Sequence, residues 1–142
     1  MASLNDLDKM FLDISDRVAE MSHSRRAKVG AVIVSDGNII SMGWNGTPSG
    51  FDNNCEFDNE EGMLVTRPEV LHAESNSILK LARTGGLGSD GATIYTTFSP
   101  CPDCAKLIAQ SGIKRVVFRN QYRLTDGLAM LKTLGIEVEQ LK

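Results

Sequence analysis

The segment ATIYTTFSPCPDCAKLIAQSG, residues 92–112, decides the fold predicted for this chain of 142 residues. Its opening run, Ala92–Phe98, is rich in apolar and β-branched residues and predicts a strand. Ser99-Pro100 then turns the chain into a helix predicted over Cys101–Gln110, which a glycine ends. Lys114–Phe118 predicts a further strand. Because strands and helices alternate here, the segment indicates an α/β layered domain.

The rest of the chain extends this pattern with a hairpin that makes the predicted sheet mixed rather than wholly parallel. The further predicted elements are a helix with apolar positions from Leu4 to Met21 capped by Ser3, strands Val29–Val34 and Ile39–Trp44 around Asp36-Gly37-Asn38, an irregular loop Asn45–Arg67, helices Val70–Ala82 and Leu124–Leu134, and a last strand Ile136–Leu141. Loops of that length inside a compact domain are usually functional or mobile. We expect one domain spanning residues 1–142.

Composition is that of a globular protein, with 42% hydrophobic and 23% charged residues and a net charge of −3. No apolar run approaches the ~18 residues that span a membrane. The acidic residues of the N-terminal segment do not suit a signal peptide, so we expect a cytoplasmic protein. Cations occur only in small groups, Arg25, Arg26 and Lys28 and then Lys114, Arg115, Arg119 and Arg123. This balance argues against a polymeric nucleic acid as partner but leaves room for a small phosphorylated ligand.

Two short motifs carry the chemistry, His72-Ala73-Glu74 and Pro100-Cys101-Pro102-Asp103-Cys104, each near the start of a predicted helix. Cysteines three apart can reach one ion, and His72 would complete three protein ligands. Three ligands leave a fourth position open for water, which is typical of catalytic rather than structural zinc. Glu74 can share this site only if the metal lies off the end of the helix, because residues two apart in mid-helix diverge by ~200°.

Two other interpretations of the cysteines remain open at this point. The C-x-x-C pair could be a redox pair, although that gives no role to His72 or Glu74. It could also be part of a closed structural site, for which His23 and Cys55 are the remaining candidate ligands. Taken together, H-x-E and P-C-x-x-C form the signature of zinc nucleobase deaminases. In that chemistry Glu74 moves protons between the attacking water, the ring and the leaving amine.

Beyond the metal motifs, the chain resembles the deoxycytidylate (dCMP) deaminases from about Asp8 to its C-terminus. The segments that carry the resemblance are KVGAVIV at 28–34, GWNGTPSG at 43–50, HAESN at 72–76, PCPDCAKLI at 100–108 and GIK at 112–114. The resemblance implies a three-layer α/β/α fold with a five-stranded mixed sheet, one catalytic Zn²⁺ per chain, and hydrolysis of dCMP to dUMP and ammonia. It also implies a homohexamer that dCTP with Mg²⁺ activates and dTTP inhibits.

The same resemblance assigns residues to two nucleotide sites. For the regulatory nucleotide it points to Ser24, Arg26, Lys28, Asn45, Gly46, Thr47 and Gly50. For the substrate it points to Asn45 at the sugar, the Ala73 N–H and Ser99 carbonyl at the cytosine edge, Tyr122 on the ring and Arg123 at the 5′-phosphate. Alternatively the 46–48 segment is only a turn, Tyr122 a core aromatic residue and Arg123 a surface charge.

Two further functions compete with dCMP deamination. A zinc deaminase of another base, such as adenosine in tRNA or free cytidine, would share the metal motifs, but a tRNA enzyme should present a more basic face. A zinc-stabilised nucleotide-binding protein without catalysis would have no need of the glutamate at position 74.

Overall fold

A computed structural model describes residues 3–142; Met1 and Ala2, the first residues of the predicted domain, lie outside the described part. In chain order the elements are α1 (Leu4–Ala19), β1 (Gly30–Ser35), β2 (Asn38–Trp44), β3 (Glu56–Asp58), β4 (Leu64–Thr66), α2 (Ala73–Thr84), β5 (Thr93–Phe98), α3 (Pro102–Gln110), β6 (Arg115–Asn120), α4 (Asp126–Thr133) and β7 (Glu137–Gln140). Each helix and strand predicted from the sequence is present, with ends shifted by a few residues.

The main sheet has five strands in the order β2-β1-β5-β6-β7. β1 is antiparallel to both β2 and β5, whereas β5, β6 and β7 are parallel to one another. α1 packs on one face of this sheet, and α2, α3 and α4 cover the other. The predicted three-layer α/β/α fold with a five-stranded mixed sheet is therefore confirmed.

The first helix begins as its sequence predicts. Ser3 is the N-cap: its hydroxyl accepts the Asp6 N–H at 3.1 Å, and the Asp6 carboxylate accepts the Ser3 N–H. Such a capping box satisfies two backbone donors that the helix leaves unpaired. The apolar face is narrower than predicted, because Met10 is 45% exposed while Phe11 is buried against the sheet. Met21, the last apolar position of the predicted helix, lies beyond its end at Ala19.

The predicted start of α2 at Val70 is wrong, since the helix begins at Ala73. Leu71 is extended and forms a two-way backbone bridge with Gly46, with N···O distances of 3.0 and 2.7 Å. This tertiary pairing overrides the local helical preference of the apolar residues at 70 and 71. His72 consequently lies at the N-cap and not inside the helix.

The segment Asn45–Arg67 is not the irregular loop that the sequence predicts throughout. It contains a two-stranded antiparallel ribbon of β3 and β4, in which Glu56 lies opposite Thr66 and Asp58 opposite Leu64. Strands of three residues give too short a pattern to be recognised in a polar stretch. We call this pair of strands the β3–β4 ribbon.

The second basic group of the sequence is largely used inside the protein. Arg115 is buried and binds the Asp8 carboxylate through two nitrogens at 2.8 and 2.7 Å. Arg119 pairs with Asp13 at 2.8 Å and with Asp16 at 2.9 Å. These two guanidinium groups hold α1 against β6. Because both are paired with carboxylates, they are not available to bind a phosphorylated ligand at this basic group.

Candidate metal and catalytic site

His72 and Cys101 are both N-cap residues, of α2 and α3 respectively. Both have extended backbone angles, and neither side chain makes the capping hydrogen bond that usually turns back onto its helix. Pro102 at the first position of α3 needs no such partner because it lacks an N–H group. The imidazole and the thiol are therefore free to face a common point beyond the two helix ends.

The three predicted metal ligands converge. His72 Nδ1 lies 3.2 Å from Cys104 Sγ and 3.4 Å from Cys101 Sγ, and all three ligand atoms lie within 4.8 Å of one another. Tetrahedral zinc with one nitrogen and two sulfur ligands would separate nitrogen from sulfur by roughly 3.5 Å. These side chains thus fit a zinc ion. Within residues 3–142 no other group of three such side chains converges in this way.

The two cysteines interact, and their pKa values shift in opposite directions. A hydrogen bond from the Cys104 thiol lowers the pKa of Cys101 to about 4, with a further contribution from His72, against the effect of burial. The pKa of Cys104 is raised by its interaction with Cys101 and by burial. A divalent cation would displace the remaining proton, because the thiolate is the form that binds metal.

Glu74 is buried in the first turn of α2, only 4% exposed. Burial raises the pKa of Glu74 to about 7, while its backbone N–H group and the charge of His72 act in the opposite direction. A carboxyl group that titrates near neutral pH can both accept and donate a proton. Because His72 is at the cap, the divergence expected in mid-helix does not apply, and the geometry required for Glu74 to share the site is present.

A close contact between α2 and the sheet fixes this carboxylate. Gly43 of β2 faces the start of α2, where an added Cβ atom would lie 2.7 Å from both the Ala73 carbonyl oxygen and the Ser77 nitrogen. Only glycine permits this approach without movement of one element. Asn76 also donates a side-chain hydrogen bond to the Trp44 carbonyl at 2.8 Å.

A pocket of about 220 Å³ opens at this site. It is lined by the predicted catalytic and ligand residues Glu74, His72 and Cys101 and by the predicted nucleotide-contacting residues Ser24, Arg26, Asn45, Ala73, Ser99 and Tyr122. The remaining lining residues are Ala27, Val29, Thr66, Val70 and Phe98. Arg123 does not line the pocket; its guanidinium lies 5.8 Å from the centre of the Tyr122 ring.

Asn45 joins the pocket wall to the segment that precedes β1. Its side-chain oxygen accepts the Val29 N–H at 2.9 Å, and its amide group donates to the Ala27 carbonyl at 2.8 Å. Its own carbonyl accepts a hydrogen bond from Ser22 at 2.8 Å. Asn45 thus braces this wall of the pocket.

The residues predicted for the regulatory nucleotide divide between two places. Ser24, Arg26 and Asn45 line the pocket of His72, whereas Gly46 and Thr47 line a second pocket of about 310 Å³ on the other side of the Gly46–Leu71 bridge. The second pocket also contains Lys80 and Arg83. Lys28 and Gly50 are exposed and line neither pocket.

Comparison with known proteins identifies the family. A family model described as the cytidine and deoxycytidylate deaminase zinc-binding region matches residues 5–120. The chain belongs to this deaminase family. Its zinc-binding description agrees with the three converging ligand atoms, and Zn²⁺ is the metal that this site fits.

Several phage proteins resemble this family member over most of its length. It is 38% identical to the deoxycytidylate deaminase of Enterobacteria phage T4 over 166 aligned positions, which cover 89% of this chain and 86% of that protein. It is 38% identical to the deoxycytidylate deaminase of Mycobacterium phage D29, over 80% of this chain and 94% of the relative. The crystal structure of dCMP deaminase from cyanophage S-TIM5 in complex with dCMP and dUMP matches with a TM-score of 0.90 and 44% identity, covering 99% of this chain and 100% of that chain.

Two polar residues were missed by the sequence analysis, one that lines this pocket and one that is buried behind it. Thr66 lines the pocket from β4, and Glu56 is buried behind the Ser24–Arg26 segment. Both lie in a polar stretch without periodicity, where single residues give no signal of burial.

The described helices are too short or too polar for any of them to cross a bilayer.

Proposed function

We propose that this chain is a zinc-dependent dCMP deaminase, which hydrolyses dCMP to dUMP and ammonia. The observation that carries the proposal is the convergence of His72, Cys101 and Cys104 at a pocket that the buried Glu74 also lines. Relatives named deoxycytidylate deaminase, and a related structure that holds dCMP and dUMP, support this choice of substrate.

The residues of the pocket divide the work of the reaction. His72, Cys101 and Cys104 would hold Zn²⁺, which would supply a Lewis acid that lowers the pKa of water towards neutral pH. Glu74 accepts one proton from the water as its oxygen bonds to C4, and delivers that proton to N3. It then takes the second proton from the new C4 hydroxyl group and delivers it to the amine, which departs as ammonia when the C4–N4 bond breaks. The Ala73 N–H and the Ser99 carbonyl read the cytosine edge, Tyr122 covers the ring, and Asn45 contacts the sugar.

The proposed activity is tested with purified, zinc-loaded protein and the substrates dCMP, CMP, dCTP, deoxycytidine and an adenosine-containing tRNA stem, with ammonia release as the measurement. We expect turnover of dCMP. Turnover of the tRNA stem alone would identify the chain as a deaminase of another base. Zinc binding without release of ammonia from any substrate would favour a non-catalytic nucleotide-binding protein.

We further propose that dCTP with Mg²⁺ activates the enzyme and dTTP inhibits it, with the triphosphate in the second pocket. Gly46 and Thr47 line that pocket beside Lys80 and Arg83, whose charges suit a polyphosphate. A Cβ atom added at Gly46 would meet no atom within 4 Å, so the backbone there accepts a side chain, and Gly46→Val places methyl groups at this wall of the pocket. We expect this variant to keep basal turnover of dCMP and lose its response to dTTP. A normal response would contradict this assignment.

We also propose that the chain forms one domain, assembles as a homohexamer and works in the cytoplasm. Its cysteines are free thiols in the described part of the chain, which suits a reducing compartment.

An apolar groove between α2 and α3 supports assembly, since Leu79 and Leu107 beside it are 53% and 45% exposed. Sedimentation velocity of the wild type and of Leu107→Glu tests this proposal, and a wild type that sediments as a monomer would contradict it.

A further inference from the structure

The proposed substrate carries a phosphate, and the pocket offers one cationic side chain for it. Among the lining residues in the described part of the chain, Arg26 is the only arginine or lysine. Arg26 forms no ion pair with a carboxylate of residues 3–142. Its five N–H donors can bind phosphate in a bidentate manner. Arg123, which the sequence favoured for this role, does not line the pocket.

The backbone and the side chain of Arg26 each form a hydrogen bond with a residue of the β3–β4 ribbon, and these two residues face each other across its strands. The Glu56 carboxylate accepts the Arg26 backbone N–H at 3.0 Å, and the Thr66 hydroxyl accepts a hydrogen bond from the Arg26 guanidinium at 2.9 Å. Glu56 and Thr66 lie directly opposite each other in the antiparallel register. The ribbon therefore fixes both the backbone and the charged group of this arginine.

Glu56 is a carboxylate built into the wall behind the pocket. Its side chain is fully buried and accepts hydrogen bonds from the Ser24 hydroxyl at 2.7 Å and the Arg25 N–H at 2.9 Å as well as from Arg26. A buried charge without such partners would cost several kcal/mol. The segment 24–26 therefore keeps the conformation in which its three donors reach the carboxylate. Burial alone would raise the pKa of Glu56, but these hydrogen bonds outweigh it and the pKa is lowered.

We propose that Arg26 binds the 5′-phosphate of the substrate and that Glu56 and Thr66 are positioning residues that present it to the pocket. This proposal rests on the proposed function and specifies how the site selects a nucleotide. It also gives the segment between β2 and α2 a role, since the β3–β4 ribbon is the part of that segment that binds Arg26. Arg26 thus belongs to the substrate pocket here and not to a regulatory site.

The first test is Arg26→Gln, compared with Arg17→Gln, which removes the same charge from an exposed position on α1. We expect Arg26→Gln to raise the KM for dCMP roughly 10- to 100-fold with little change in kcat, because charge-assisted hydrogen bonds to phosphate are lost. Calorimetric binding of dUMP should weaken by a similar factor. The Arg17→Gln variant should match the wild type in both measurements.

The positioning role is tested by Glu56→Gln and Thr66→Val, each alone and combined with Arg26→Gln. Each single variant should raise the KM for dCMP, and its effect should disappear in the Arg26→Gln background, because the group that it positions is already absent. A thermal melt establishes whether each variant folds. If Glu56→Gln does not fold, Thr66→Val alone tests the positioning role, because Thr66 binds the Arg26 guanidinium.

Three results would overturn the proposal: an unchanged KM in Arg26→Gln, a loss confined to kcat, or effects of Glu56→Gln that add fully to those of Arg26→Gln. Failure of the proposed function is a separate outcome, in which the wild type does not deaminate dCMP. Calorimetry with dUMP still measures the contribution of Arg26 in that case, because it requires no turnover.

Discussion

At the scale of single residues, the site depends on two N-cap positions whose side chains do not cap. His72 and Cys101 sit where the chain enters α2 and α3, with extended backbones that place their side chains ahead of the helix ends. Glu74 and Cys104 follow in the first turns of the same helices. Each helix therefore contributes two functional groups to one point.

Replacement of Glu74 by glutamine separates proton transfer from metal binding. We expect Glu74→Gln to keep its zinc and to lose turnover of dCMP by about 10²- to 10⁴-fold, because the amide cannot carry the proton. The measurements are zinc content by elemental analysis and kcat by ammonia release. A fully active Glu74→Gln variant would show that another group moves the protons.

Loss of one sulfur ligand should release the metal. Cys104→Ala is expected to lose zinc and activity together, since two protein ligands hold zinc far less tightly than three. Cys55→Ala is the matched control, because Cys55 is buried but lies outside the converging group. It should retain one zinc per chain. Equal zinc content in the two variants would contradict the assigned ligands.

At the scale of elements, the contact between α2 and β2 sets the position of the Glu74 carboxylate. The Cβ atom that Gly43→Ala adds would lie 2.7 Å from backbone atoms of α2, so the helix must shift. We expect a loss of stability of about 1–3 kcal/mol and a fall in kcat, because overpacking displaces His72 and Glu74 together. Urea unfolding and ammonia release measure the two effects.

The control for this change is Gly88→Ala, where the added Cβ atom meets no atom within 4 Å. That variant should unfold and turn over dCMP like the wild type. If Gly43→Ala also behaves like the wild type, then the spacing of α2 from β2 does not determine the site.

At the scale of the whole molecule, a buried ion pair connects α1 to the parallel strands of the sheet. Asp8 on α1 binds Arg115 on β6, which also binds Glu139 on β7 at 2.6 Å. Tyr95 on β5 donates a hydrogen bond to the same Asp8 carboxylate. One cluster thus joins α1 to three strands.

This cluster predicts an acid dependence of stability. Burial would raise the pKa of Asp8, but the hydrogen bonds from Arg115 and Tyr95 outweigh it, and the pKa lies below its ordinary value of 3.8. The stabilisation from ionised Asp8 is therefore fully present above about pH 4 and is lost as the pH falls through the lowered pKa. Asp8→Asn should lose about 3 kcal/mol at neutral pH and less in acid.

Urea unfolding at pH 7 and at pH 3 measures this difference. Asp36→Asn, which removes an exposed carboxylate from the hairpin turn, is the control and should follow the wild type at both pH values. A constant difference between Asp8→Asn and the wild type at the two pH values would contradict the role given to Asp8.

The sequence by itself determined the chain order of the main strands and helices, the cap at Ser3, and the three residues whose ligand atoms converge, His72, Cys101 and Cys104. These features are local, since periodicity, turns and short motifs depend on near neighbours in the chain. Tertiary structure decided where α2 begins, the β3–β4 ribbon and the placement of Arg26 in the pocket. Those depend on pairing between distant segments, the Gly46–Leu71 bridge and the Glu56–Thr66 pair, which no local pattern encodes.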